Sequence, residues 1–152
     1  MSILERLKAD YIFLRGALRA LRMTTPIAKH PARVFPVVIA ELAEKYGDAP
    51  ALLSDRETFT YRTLAERANR YARWARRENL AKGDTVCLLM PNRPEYMAAW
   101  IGITSAGGVV ALINTNLVGP SLAHCIDIVS PKHIILASEL TETFATAQTL
   151  LR

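Results

Sequence analysis

Three short apolar runs, each bounded by polar or glycine-rich turns, constrain this chain most. Val86-Cys87-Leu88-Leu89-Met90 is the first, and Pro91-Asn92-Arg93-Pro94 follows it. A helical segment from Glu95 to Ala106 runs up to Gly107-Gly108. The second apolar run spans Val109 to Ile113 and closes at Asn114-Thr115-Asn116. Another helical segment, Ser121 to Val129, leads to the third run, His133-Ile134-Ile135-Leu136. Strand, helix, strand, helix, strand is the βαβαβ pattern of a parallel sheet. Its strands are apolar on both faces because helices cover both. The rival reading, one buried helix or membrane span through Tyr96 to Ile113, conflicts with Gly107-Gly108, with Thr104 and Ser105, and with the short length of each run.

The 152 residues suit one domain with a real core. Hydrophobic residues make up 51% and charged residues 22%, an ordinary globular balance. A net charge of +5 is too modest a surplus to argue for nucleic acid or membrane contact by itself. Cys87 and Cys125 both stand in apolar contexts without a secretory signal, which predicts buried free thiols rather than a disulfide. His30, His124 and His133 show no ligand spacing with them, so no zinc site is expected.

Before the sheet pattern, Leu4, Leu7, Tyr11, Leu14, Leu18 and Leu21 recur at spacings of three and four, an apolar helical stripe over residues 1–22. Ile3, Ile12, Phe13 and Ala17 widen it. Arg6, Lys8, Arg15, Arg19 and Arg22 form a basic flank. Such a helix fits an anionic membrane surface or a packing face on protein, and the sequence leaves both open. Charges interrupt the apolar part and no small-residue cleavage site stands out, unlike a signal peptide. The helix is too charged to span a bilayer. Pro26, Pro31 and Pro36 mark residues 23–36 as an irregular tether, with Lys29 and His30 as solvated members. Residues 37–152 form the main body.

Val37 to Tyr46 reads as a short amphipathic helix ended by Gly47. Ala51 to Ser54 and Thr58 to Tyr61 are strand candidates around a turn at Asp55-Arg56-Glu57. Thr60 is placed to cap the helix that follows, about Arg62 to Glu78. Leu64, Ala68, Tyr71, Ala72 and Ala75 form the inner face of that helix. Arg62, Arg67, Arg70, Arg73, Arg76 and Arg77 make the rest basic, which predicts a solvated outer helix. With no aromatic platform among the arginines, and with Glu66 and Glu78 diluting the charge, nucleic acid is not expected as a partner.

No catalytic, cofactor-binding or metal-binding residue is assigned. A glycine-rich phosphate loop with a following lysine and hydroxyl is missing from these residues. Gly102 and Gly107-Gly108 do not match a dinucleotide fingerprint, and Gly107-Gly108 suits a sharp helix-to-strand turn. Ser54, Ser105, Ser121, Ser130 and Ser138 have no nucleophile-elbow context. His124 and Asp127 share a helix at a spacing of three without a placed nucleophile. Two stretches lie where open α/β sheets place ligands, beyond the carboxyl ends of strands: Pro91 to Glu95, and Asn114 to Asn116. Pro94 and Glu95 equally suit the first turn of a helix. A scaffold role is the stronger reading for both stretches.

Several runs carry a family resemblance. Phe59-Thr60-Tyr61-Arg62-Thr63-Leu64-Ala65-Glu66-Arg67-Ala68-Asn69 resembles the first core motif of the adenylate-forming (AMP-binding) enzymes. Asp84 to Glu95 resembles their first large sheet strand and its turn, and Ala106 to Asn114 their second core motif. More narrowly, Ala111 to Leu117 and Leu122-Ala123-His124-Cys125-Ile126 resemble the fatty-acid-transport-protein and very-long-chain acyl-CoA synthetase branch. The similarity covers nearly all of the chain from Val37 onward.

The resemblance implies an α/β fold: a three-layer, open, mostly parallel sheet with helices on both faces. It would be an incomplete part of the large N-terminal domain, preceded by the amphipathic helix. It implies a parent enzyme that activates a long-chain or very-long-chain fatty acid with ATP and Mg2+ to an acyl-adenylate, then transfers the acyl group to coenzyme A. The family's phosphate loop, later adenylate motif, ribose-binding aspartate and C-terminal catalytic lysine match no residue here. The 152 residues alone are therefore expected to be inactive. The expected setting is cytoplasmic, peripheral on the inner face of the cell membrane, with homo-oligomers. Two alternatives stay open: a ligase for a different carboxylic acid, and a non-catalytic membrane-associated or scaffolding α/β module.

Overall fold

The computed structural model describes residues 3–30 and 32–152, with side chains described from Glu5 onward except at Pro31. The places of Ile3 and Leu4 in the apolar stripe, and of Pro31 in the tether, thus lie outside the described residues. The chain divides into two compact units, Met1–Val34 and Phe35–Arg152.

The first unit is built on one helix, α1 (Ile3–Lys29). It continues seven residues past the expected end at Arg22. Pro26 does not break it, because the proline ring holds a helical φ and its missing N–H removes only one backbone bond. Thr24 Oγ1 donates to Ala20 O at 2.9 Å and Thr25 Oγ1 to Leu21 O at 2.6 Å, in the turn before the proline. Among the described residues, those outside both α1 and α2 here are therefore His30 and residues 32–34, rather than the whole of 23–36. Among the described residues, no helix is long and apolar enough to cross a membrane.

The second unit opens with α2 (Phe35–Tyr46), two residues earlier than expected. Pro36 sits in its first turn, where a missing N–H goes unnoticed. The strands β1 (Pro50–Leu53) and β2 (Thr58–Thr60) pair antiparallel, with an irregularity between Pro50 and Leu52. Ser54 closes the intervening turn: its N–H donates to Glu57 O at 3.0 Å and its Oγ accepts the Glu57 N–H at 3.1 Å. Thr60 then caps α3 (Tyr61–Arg77) as the sequence predicts. The Thr63 N–H donates to Thr60 Oγ1 at 3.1 Å, and the Thr60 N–H donates to Thr63 Oγ1 at 2.8 Å, a reciprocal capping box.

The centre is a three-stranded parallel sheet of β3 (Thr85–Leu89), β4 (Val109–Leu112) and β5 (His133–Leu136), in the order β4-β3-β5. Thr85 pairs with Val109 and Leu88 with Leu112, while Val86 pairs with His133 and Leu89 with Leu136. The connections are α4 (Pro94–Ser105) and α5 (Gly119–Asp127). A 3-10 turn at Ser138–Leu140 and a last helix, α6 (Thr141–Gln148), follow β5. Gly107, at φ +94°, and Gly108 make the turn from α4 into β4. A Cβ on Gly108 would fall 2.8 Å from Ile103 Cγ2, so the turn needs glycine for space as well as for conformation.

The order of the strands explains why β3 is apolar throughout. The chain leaves β3 for β4 on one side, then returns past β3 to β5 on the other. Crossovers of one hand then put α4 and α5 on opposite faces. Val86 accordingly packs with Ala75, Leu80 and Ile103, and Leu88 with Ala99 and Met90, on the α3 and α4 side. Cys87 and Leu89 pack with Leu122, Ala123, Ile126 and Ala147, on the α5 and α6 side. Val86, Cys87, Leu88 and Leu89 are fully buried. Each aliphatic member stabilises the fold by about 1.5–3 kcal/mol. The helices on both faces are the layered α/β arrangement read from the sequence.

Candidate functional site

Because α4 and α5 leave toward opposite faces, the carboxyl ends of β3 and β4 part and leave a crevice between their outgoing turns. Open α/β sheets bind ligands at such a switch point. The crevice here is a cleft of about 440 Å³ lined by Met90, Pro91, Asn92 and Tyr96 on one side, and by Leu112, Ile113, Asn114, Thr115 and Asn116 on the other. It brings together the two stretches singled out from the sequence. Asn114 Oδ1 accepts the Asn116 N–H at 2.9 Å, which folds that turn back on itself. The walls offer amide, hydroxyl and phenol groups and no charge. They suit hydrogen bonding to a neutral polar segment beside an apolar floor, and they contain no proton-transfer pair.

Arg93 and Glu95, from the same stretch, take part elsewhere. Arg93 Nη1 donates to Glu139 Oε1 at 2.8 Å, tying the β3–α4 turn to the 3-10 turn after β5. Its Nε has no hydrogen-bond partner, and Glu57 Oε1 stands 4.0 Å away. The α4 N-cap, Arg93, makes no side-chain capping bond. Glu57 Oε1 does that work instead, accepting the Glu95 N–H at 3.1 Å from the β1–β2 hairpin.

Glu95 is the one buried charged residue among those described. Arg67 Nε donates to its Oε1 at 2.9 Å and its Oε2 at 2.8 Å, and the Tyr71 hydroxyl donates to Oε1. Burial by itself raises the Glu95 pKa. The hydrogen bonds from Arg67 and Tyr71, with the charges of Arg67 and Arg93, outweigh it and hold the carboxyl below its usual range. Burial and the Glu95 bond push the Tyr71 phenol far above its ordinary value. Glu95 therefore does more than suit a helix dipole, and Arg67 is not a solvated outer-helix residue. Sequence reading missed Glu57, Arg67, Tyr71 and Glu139 as partners because 24 to 46 positions separate the bonded pairs.

His124 and Asp127 both line a larger open depression of about 750 Å³, together with Ser130. They do not form a relay. Asp127 Oδ1 accepts the Arg152 N–H at 3.1 Å, and Ser130 Oγ donates to the Asp127 main-chain oxygen at 3.3 Å. Cys87 is buried and free, and burial raises its thiol pKa to about 11. Cys125 is only half-buried, less enclosed than the sequence suggested. Among the described residues, no group of three His, Cys, Asp or Glu converges to hold a metal.

A sequence profile of AMP-binding enzymes matches residues 39–152. The chain belongs to the AMP-binding enzyme family. Long-chain fatty acid transport protein 2 of Rattus norvegicus is 34% identical over 131 residues, which cover 86% of this chain and 21% of that protein. The long-chain-fatty-acid–CoA ligase of Salmonella typhimurium is 34% identical over 102 residues, 66% of this chain and 18% of the ligase. The fold superposes on the crystal structure of the N-terminal domain of FACL13 from Mycobacterium tuberculosis with a TM-score of 0.68 and 26% identity, covering 72% of this chain and 28% of that one. This AMP-binding chain thus spans about a fifth of the length of the two curated relatives.

The residues of the switch-point cleft do not fit a nucleoside triphosphate. Gly107 and Gly108 are spent on the turn against Ile103, and the switch-point cleft carries no cation. No adenylation step is assigned to residues of this chain.

Proposed function

We propose that this chain forms the first part of an ATP-dependent acid–thiol ligase acting on long-chain or very-long-chain fatty acids. The whole enzyme would make an acyl-adenylate and then a coenzyme A thioester, using ATP, Mg2+ and coenzyme A. The observation that carries this reading is the 34% identity to proteins named for long-chain fatty acids, across both a transport-protein and a ligase relative. Within such an enzyme the 152 residues act as scaffold. They set the central strand, seat the first helices on both of its faces, and line both sides of the crevice between β3 and β4 at its carboxyl end. The reading places the enzyme in the cytoplasm, peripheral on the inner face of the cell membrane and self-associating.

The test is acyl-dependent ATP–pyrophosphate exchange by the natural protein that carries this sequence, across a panel of carboxylic acids. Exchange with long-chain fatty acids, followed by thioester formation with coenzyme A, is the expected result. Exchange only with aryl, amino or short acids would overturn the substrate class. No exchange with any acid would overturn the ligase reading and favour a non-catalytic module.

A further inference from the structure

The positive charge of this chain is concentrated in one helix. In α1, Arg6, Lys8, Arg15, Arg19, Arg22 and Lys29 face only Glu5 and Asp10, a surplus of four out of the chain's net five. The rest of the chain is close to neutral. At 3.6 residues per turn, Lys8, Arg15, Arg19 and Arg22 fall within about 60° of the helix circumference, one ridge roughly 20 Å long. All four are exposed.

Two apolar faces flank that ridge. Leu7, Tyr11, Leu14, Leu18 and Leu21 lie on one side of it. Ile12, Phe13, Met23 and Ile27 lie on the other. Each of these nine side chains is at least 58% exposed. On the side opposite the ridge, Ala17, Ala20 and Thr24 are small, and the Thr24 hydroxyl is satisfied by Ala20 O. A threonine bonded in this way costs less to take out of water. Between the Arg6–Asp10 turn and Lys29 at its end, then, the helix is apolar or small everywhere except along one cationic line.

We infer that α1 is a lipid-surface site, lying in the plane of an anionic bilayer with Lys8, Arg15, Arg19 and Arg22 along the phosphate layer. Both apolar faces then enter the interface beside the ridge. The helix fits the pattern for such binding: basic residues along one line, leucines and aromatics around it, and, among the described residues, no span both long and apolar enough to cross. Charge complementarity selects this occupant over a second copy of the same helix, which would bring two helices, each with a surplus of four positive charges, side by side. The inference deepens the functional reading above by giving the peripheral location a residue-level basis.

The test is sedimentation of the full 152-residue chain with vesicles of phosphatidylcholine, with and without phosphatidylglycerol. Each basic group near an anionic surface is worth about a five-fold change in partitioning. The K8Q/R15Q/R19Q/R22Q variant is therefore expected to bind phosphatidylglycerol vesicles about a hundred-fold or more weakly. High salt should release the wild type. R73Q/R76Q/R77Q, which removes a similar charge from α3, should bind like the wild type, and circular dichroism should show all three proteins equally folded. Equal binding to neutral and anionic vesicles, or binding unchanged by the α1 substitutions, overturns the proposal. So does a concentration-dependent dimer through α1 with no vesicle binding. Because sedimentation needs no turnover, a protein that binds vesicles yet shows no pyrophosphate exchange in its natural form would sink the ligase reading and leave this one standing.

Discussion

Arg67 meets Glu95 along the edge of its guanidinium: Nε lies 2.9 Å from Oε1 and 2.8 Å from Oε2, and Nη2 lies 2.8 Å from Oε1. This contact, with the Tyr71 hydroxyl, pins the start of α4 to the middle of α3. It is the polar counterpart of the apolar packing of Leu64 and Ala68 against Ala98 and Ile101 along the same two helices.

The pair carries a pH signature. Glu95 has a depressed pKa in the folded chain, so as pH falls the unfolded chain takes up its proton first. The stabilisation is therefore complete above the ordinary glutamate value of about 4.3 and is lost as pH falls through the folded value. Glu95→Gln should cost about 1–3 kcal/mol at neutral pH, mostly from leaving the buried partners imperfectly paired. Arg67 is 42% exposed, so screening keeps the ionic share small. Urea midpoints for the two proteins should draw together as pH drops from about 7 to below the ordinary glutamate value of about 4.3. A gap that stays constant across that range would refute the assignment.

Gly102 sets how closely α3 and α4 approach. A Cβ there would lie 2.2 Å from the Ala68 carbonyl oxygen and 2.5 Å from Tyr71 Cβ, and the backbone oxygen has no rotamer with which to yield. Gly102→Ala is expected to destabilise by about 3 kcal/mol or more, at the top of the overpacking range. Gly16, in α1, has nothing within 4 Å of its would-be Cβ. Gly16→Ala should raise helix content, favouring α1 by about 0.8–1 kcal/mol through propensity alone. Thermal melts of the second unit and far-ultraviolet circular dichroism separate the two effects; a neutral Gly102→Ala would contradict the packing.

The sheet was legible because period and punctuation agree. Val86 to Met90, Val109 to Ile113 and His133 to Leu136 are short, apolar on both faces, and bounded by turn residues, and all three fall on observed strands to within a residue. Thr60 was readable as a cap because it stands just ahead of the helical segment whose apolar face begins at Leu64. Two kinds of fact stayed hidden. Pairings across the chain, such as Arg67 with Glu95 and Arg93 with Glu139, have no local trace, since any of six arginines on α3 looks equally solvated in sequence. Pro26 misled for the opposite reason: a local rule ended the helix at Arg22, while the helix tolerates the loss of one bond and runs to Lys29. The crevice between β3 and β4 was half legible. Asn92 and Asn114 to Asn116 stood out at strand ends, but their meeting depends on the strand order.

The two thiols should differ in reactivity. Cys87 is fully buried on β3, and burial raises its pKa to about 11, so almost none is thiolate near pH 8. Cys125 on α5 is half-buried and free. A disulfide-exchange reagent should titrate one thiol quickly in the native chain and the second only with denaturant. Cys125→Ser should abolish the fast phase, and a fast phase surviving in that variant would show that Cys87 is reachable.

The sheet itself predicts association. Among the described residues, β4 and β5 each pair with β3 on one side and with no strand on the other. On β4, Val109 and Leu112 are 50% and 43% exposed. Such an edge offers a row of unpaired N–H and C=O groups beside apolar side chains, and natural edges are usually blunted by charge or proline to prevent pairing. Neither β4 nor β5 contains Lys, Arg, Asp, Glu or Pro. The 152-residue chain is therefore expected to form dimers or larger species as its concentration rises, read by light scattering. V109K/L112K, which puts charge on the β4 edge at two exposed side chains and leaves every β3 residue unchanged, should shift the population toward monomer. L14Q/L18Q on α1 should not, if the sheet edge drives the contact. A wild-type chain that stays monomeric at every concentration would remove the edge as an interface, and loss of dimer in L14Q/L18Q alone would move the contact to the helix.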